Sequence, residues 1–137
     1  VTGFLRIRLL AALRPLRPRT WRWQEEPQAI EEWLGLVIQA AERDPGLAFE
    51  VSECARLIKG YGDTHHRGTD NFDRIVSQVI RPALAGAMTP AAAADAIANA
   101  RVAALADPEG ERLAGVLAAI EAAALSHATE VGGANPV

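Results

Sequence analysis

Residues 25–43, EEPQAIEEWLGLVIQAAER, decide the fold class. Ile30, Trp33, Leu34, Val37, Ile38 and Ala41 recur at the i, i+3, i+4, i+7 spacing that lays one apolar stripe along a helix. Glu25, Glu26, Glu31 and Glu32 gather toward its start, where the helix dipole favours negative charge. Pro27 sits near the first turn, where a missing N–H does no harm.

Downstream the same period returns. Asp44, Pro45 and Gly46 read as a turn, and residues 47–59 offer Leu47, Val51, Cys54, Ala55 and Ile58 as an inner face, with Glu50, Glu53 and Arg56 outside. Gly60 stands where a left-handed glycine would close that helix. After a break at GYGDTHHRG, Phe72, Ile75, Val76, Val79 and Ile80 define another stripe, with Asp70 as its candidate N-cap and Pro82 as its kink or end. Thr89 followed by Pro90 signals the start of an alanine-rich helix over 90–106. Asp107, Pro108 and Gly110 separate it from a last helix over about 109–125, with Leu113, Val116, Leu117, Ile120 and Ala124 inward. No segment alternates apolar and polar residues with β-branched enrichment. The expectation is an all-α fold: a single compact bundle of five to six helices over residues 1–127, with 128–137 as a flexible tail.

The sixth helix would lie upstream, over residues 4–13 (FLRIRLLAAL), before Pro15 and Pro18 impose an extended or turn-like path. Residues 1–24 hold Arg6, Arg8, Arg14, Arg17, Arg19 and Arg22 and no acid, so a net charge of −3 conceals a basic arm on a body of −9. Such an arm fits an acidic face of its own body or of a partner better than nucleic acid. The acidic body, the prolines within the basic run and the lack of a reader motif all count against the latter. Arg6, Arg8 and Arg14 interrupt the only candidate apolar run, so no membrane span and no secretory signal is expected, and the location implied is cytoplasmic. The chain opens at Val1 and enters an apolar segment at once, which reads as a piece of something longer or as a chain trimmed after synthesis. Its length of 137 residues suits one domain.

Chemistry concentrates in one place. Residues 56–72, RLIKGYGDTHHRGTDNF, hold three glycines, two adjacent histidines, Lys59, Tyr61, Asp63, Arg67 and Asp70 in what reads as an interhelical loop. Loops that only join helices are usually shorter and plainer. Gly60 and Gly62 allow a tight turn or the close approach of a ligand. Lys59 and Arg67 suit an anionic group, Arg67 being the better fork for carboxylate or phosphate. The plainer alternative makes Gly60 a helix stop, Tyr61 a side chain folded on the core, and Asp63 or Thr64 an N-cap.

The run ECARLIKGYGDTHHRGTDNFDR, residues 53–74, resembles a stretch in the C-terminal domain of indolepyruvate oxidoreductase beta-subunit proteins. The resemblance rests on Leu57, Ile58, Lys59, Gly60, Tyr61, Gly62, Asp63, Thr64, His65, Arg67, Gly68 and Phe72. The entry GFLRIRLLAALRPLRPRTWRWQEEPQAIEEWL, residues 3–34, also looks like the family's entry into that domain, and the similarity runs over about residues 3–85. It implies a complex that oxidatively decarboxylates aryl pyruvates to acyl-CoA, using thiamine diphosphate, iron–sulfur clusters, coenzyme A and a ferredoxin-like acceptor. This chain lacks the family's oxidoreductase domain, a cysteine series for clusters and a nucleotide-binding βαβ unit. It would be an accessory or subunit-interface domain that binds none of these cofactors alone. Its partners would be other domains or subunits of the complex, and an oligomer is compatible with the sequence.

The candidate ligand or interface residues are therefore Lys59, Gly60, Tyr61, Gly62, Asp63, Thr64, His65 and Arg67, with no catalytic and no metal-binding residue assigned. His65 and His66 diverge by about 100° on a helix, a poor grip for one metal, and His127 is far away. Cys54 reads as inert packing, and the tryptophans Trp21, Trp23 and Trp33 as core or interface anchors. Asp63 with His65 finds no serine or cysteine placed as nucleophile. The alternative is a stand-alone helical interaction module without catalytic activity.

Overall fold

Asp44 shows how local chemistry sets the architecture. It lies between helix α1 (Pro27–Arg43) and α2 (Pro45–Glu53), extended at φ −161° and ψ 134°, and its carboxylate accepts the Leu47 N–H at 3.0 Å. An Asp N-cap followed by proline at the first helical position starts α2 as soon as α1 stops. The computed structural model describes residues 27–132. The expected short helix over 4–13, the basic arm, Trp21, Trp23, Glu25 and Glu26 lie outside the described residues, as do residues 133–137.

The remaining elements are a 3₁₀ turn at Cys54–Leu57, α3 (Asp63–Ile75), a π-helical stretch at Val76–Ile80, α4 (Arg81–Leu84), α5 (Pro90–Ala106) and α6 (Glu111–Gly132). The fold is all-α, as expected, and the described residues contain no strand. The π-helical stretch answers to Pro82. A proline inside an α-helix has no N–H and crowds the carbonyl four residues back. Here the Arg81 N–H bonds the Val76 carbonyl five residues back, widening the turn just before the proline, and the rod ends at Leu84.

Helix α5 is the centre. It packs against α2, the 3₁₀ turn, α3, the π-helical stretch and α6, whereas α1 packs chiefly on α2. Its composition suits that position, because Ala93, Ala100 and Ala104 let neighbours approach closely around the buried Ile97. Thr89 caps it as expected, its hydroxyl accepting the Ala92 N–H at 3.2 Å. The core gathers Trp33, Val37, Leu47, Val51, Leu57, Phe72, Ile75, Val79, Ile80, Leu113 and Leu117. Each such side chain contributes about 1.5–3 kcal/mol when fully buried. An ion pair bridges two of the packed helices: Arg101 on α5 meets Glu50 on α2 at 2.6 Å, with side chains only 13% and 20% exposed.

Several expectations need correction. The helix expected over 47–59 ends as α-helix at Glu53, tightens to 3₁₀ through Leu57, and leaves Ile58 extended at φ −86° and ψ 91°. Asp70 is not an N-cap; it sits exposed within α3, which begins seven residues earlier at Asp63. The last helix starts at Glu111 and continues to Gly132. On α1, Leu36 and Ala40 are buried while Ile30 and Ile38 are only half-buried, so the covered face is rotated from the expected stripe.

Candidate functional site

The segment read as a loop over 56–72 is mostly helix. Only Ile58–Gly62 connects the 3₁₀ turn to α3, and residues 63–72 are helical. The connection turns through two glycines, Gly60 at φ +82° and Gly62 at φ +59° with ψ −129°, backbone conformations that side chains with a Cβ rarely adopt. Gly62 is the N-cap residue of α3, so neither Asp63 nor Thr64 caps it, and no side chain does. The first turn closes with the His66 N–H on the Gly62 carbonyl at 3.1 Å.

This geometry separates the candidate residues. Lys59, Gly60, Tyr61, Gly62, Asp63 and Thr64 are exposed at one corner, Tyr61 by 77%. Tyr61 is therefore not folded on the core. His65 is half-buried, and its carbonyl accepts the Thr69 hydroxyl at 2.9 Å. His66 is exposed, and the two imidazoles meet edge-on with ring centroids 6.2 Å apart, the divergence that a helix imposes on neighbours. Arg67 is not held toward Lys59: its guanidinium pairs with Glu109 at 2.6 Å, tying α3 to the α5–α6 turn. Both partners are about half exposed, so the pair is worth at most about 1 kcal/mol.

Three residues outside the candidate set, of which Asn71 went unnamed in the sequence reading, hold the surrounding turns in place. Gly68 lies so close to the end of the 3₁₀ turn that a Cβ there would collide with the Leu57 carbonyl oxygen. Asn71 is the buried polar residue of the described chain; its amide donates to the Pro108 carbonyl at 3.1 Å and its oxygen accepts from Arg74 at 3.4 Å. Asp107 caps the following helix by accepting backbone N–H groups of Glu109 and Arg112 at 3.2 and 3.0 Å. The Arg112 N–H bond is the main reason its carboxyl lies below the usual carboxylate range; desolvation pulls the other way, and the Glu109 and Glu111 N–H groups and the Arg112 charge reinforce the fall. The spacing Gly68, Asn71, Phe72, Ile75, Val79 is itself a helical stripe, and it carried the missing signal.

Chemically the corner exposes an ammonium at Lys59, a phenol at Tyr61 and an imidazole at His66 along the entry to an uncapped helix start whose first turn also carries the Asp63 carboxylate, a mixed set suited to a polar protein surface or, against that carboxylate, to an anion. Lys59 makes no ion pair among the described residues. Cys54 does not suit a metal thiolate. It is fully buried, its thiol donates to the Glu50 carbonyl at 3.4 Å, and burial pushes its pKa up to about 12 against the opposing pull of Arg101, with Glu50 and Glu53 adding to the rise. Among the described residues no group of three or more His, Cys, Asp or Glu converges to hold a metal ion, and no helix is long and apolar enough to cross a membrane.

Fold and site together define a small all-α domain with a glycine-turned, polar helix entrance. The chain belongs to the DUF6537 family, a family of unknown function, whose profile matches residues 1–78 and so takes in the whole of this entrance. No curated protein and no solved structure matches the chain.

Proposed function

We propose that this chain is an accessory helical domain of an indolepyruvate-type 2-oxoacid oxidoreductase complex. Its work is to seat neighbouring subunits and to present Lys59 and Tyr61 to an anionic group or a partner surface. The supporting observation is the corner itself: Lys59, Tyr61 and His66 are exposed together beside two glycine-dependent turns. The buried core uses none of them. The resemblance of residues 53–74 supplies the reaction class. Thiamine diphosphate, iron–sulfur clusters and coenzyme A would be held by other parts of the complex, since the thiol of Cys54 does not fit a cluster ligand.

The test is to assemble the domain with the oxidoreductase subunits and measure aryl pyruvate-dependent acceptor reduction for Lys59→Ala and Tyr61→Ala. A raised KM for the 2-oxoacid or coenzyme A at intact assembly supports contact with an anionic ligand. Loss of co-elution supports docking. Unchanged kinetics and unchanged assembly in both variants refute the proposal. A free-standing interaction module is the second reading, favoured by Phe49, which is 58% exposed on α2. A coding frame upstream of Val1 that encodes an oxidoreductase domain would decide against it.

A further inference from the structure

The seam between α1 and α4 is open. Leu36 and Gln39 on α1, Arg81 and Leu84 on α4, and Ala85 just after it line a cleft of about 220 Å³. Its floor is apolar: Leu36 is 5% exposed, and Leu84 packs against the core. Its rim is polar. Gln39 and Arg81 are exposed, and neither side chain makes a hydrogen bond or an ion pair among the described residues. Arg43, one turn beyond Gln39, is committed differently: it donates to the Ala83 carbonyl at 3.1 Å and clasps the two helices together. No carboxylate lines the cleft. The backbone at Arg81 is set by the π-helical stretch before it and by Pro82 after it, and π-helical insertions recur at functional sites.

We propose that this cleft binds a small monocarboxylate with a compact aliphatic tail. The Arg81 guanidinium takes the carboxylate, the Gln39 amide donates beside it, and the tail lies on Leu36 and Leu84. Three observations select that ligand. Size comes first: about 220 Å³ falls below the roughly 300–1,000 Å³ of pockets that enclose drug-sized ligands. With the seam clasped at Arg43, the cleft holds one short group and no helix or extended chain. Charge comes second, because a guanidinium with no acid beside it calls for an anion, and its planar fork matches a carboxylate. The floor comes third. An inorganic anion gains nothing from Leu36 and Leu84, whereas an aliphatic tail leaves water on reaching them. The cleft shares no residue with the corner at Lys59 and Tyr61, so it stands or falls independently of the function proposed above.

Titrating the isotope-labelled full chain with isocaproate, followed by NMR, tests this. Expected are saturable shifts of the Leu36 and Leu84 methyl signals and of the Gln39 side-chain amide. Isocaproamide, which keeps the tail and loses the charge, and acetate, which keeps the charge and loses the tail, should each bind several-fold more weakly. Arg81→Gln should weaken isocaproate about tenfold, the loss of one charge-assisted hydrogen bond, at unchanged Tm, because the Arg81 side chain holds nothing in the fold. Equal binding of isocaproate and isocaproamide, or no response to Arg81→Gln, would leave an apolar dent without carboxylate recognition. Shifts centred on Lys59 and Tyr61 would assign the anion to the other corner, and absence of any saturable shift would leave the cleft to solvent. Each of these outcomes overturns the proposal.

Discussion

Replacing Gly68 by alanine pits two effects of opposite sign. In a helix interior alanine is better than glycine by about 0.8–1 kcal/mol, so propensity alone predicts a more stable protein. Against that stands the Leu57 carbonyl, with which a Cβ at position 68 would collide. The obstacle is backbone, not the end of a flexible side chain, so α3 must lift off the 3₁₀ turn. Lifting it disturbs Leu57 and Phe72, both in the core. Forced insertion into packed structure costs about 1–3 kcal/mol, sometimes more, and an obstacle that cannot rotate away belongs at the upper end. The net expectation is a loss of about 2 kcal/mol, which for a domain of this size lowers Tm by about 6–12 °C. The matched control is Gly35→Ala in α1, where an added Cβ meets nothing within 4 Å; it should hold or raise Tm. Thermal unfolding followed by circular dichroism measures both. A Gly68→Ala protein at least as stable as the parent would refute the close approach and with it the account of why glycine stands there.

Other perturbations follow from the same geometry. Truncating either Arg101→Ala or Glu50→Ala leaves one charge under partial cover and should cost about 2 kcal/mol, while the double variant should lose clearly less than the sum; urea titration of the cycle decides it. Asn71→Ala strips the Pro108 carbonyl and Arg74 of a buried partner and should cost about 1–3 kcal/mol, visible as a lower denaturation midpoint. The Cys54 thiol, held up to about 12 by burial, should resist thiol reagents at pH 8 until the protein unfolds. Because the unfolded thiol releases its proton from about pH 9, its contribution to stability is complete below that pH. The contribution declines as pH rises toward 12, and a Cys54→Ala variant should lose that component of the alkaline decline.

The helical class was legible from α1 and from the Thr89–Pro90 start of α5, because an apolar stripe and a capping pair each state their structure locally. The start of α3 was not legible for a specific reason. Its first two turns, Asp63–Asp70, carry no large apolar residue, so hydrophobic period is silent there, and the glycines read as loop. What makes the segment helical is tertiary: a glycine seated against a carbonyl, an asparagine bonded across to Pro108, and Phe72 anchoring the third turn. The rotation of α1 has a similar origin. Six apolar positions nearly encircle its inner half, and which of them the core covers depends on where α2 and α4 pack.

The same distinction governs how residues 53–74 can be tied to function. Gly68 answers to the Leu57 carbonyl, and Gly60 and Gly62 to positive φ, so these positions would be restricted in any protein with this corner, whatever it binds. The identity of these residues therefore speaks to shape rather than to function. Lys59 and Tyr61 are different: both are exposed, and the core uses neither. If the corner serves a ligand or a partner, substitutions at these two positions should change binding or assembly with little change in Tm, while Gly68→Ala should change both through loss of the fold. That contrast, read on one set of variants by unfolding and by complex assembly, separates a conserved shape from a working surface.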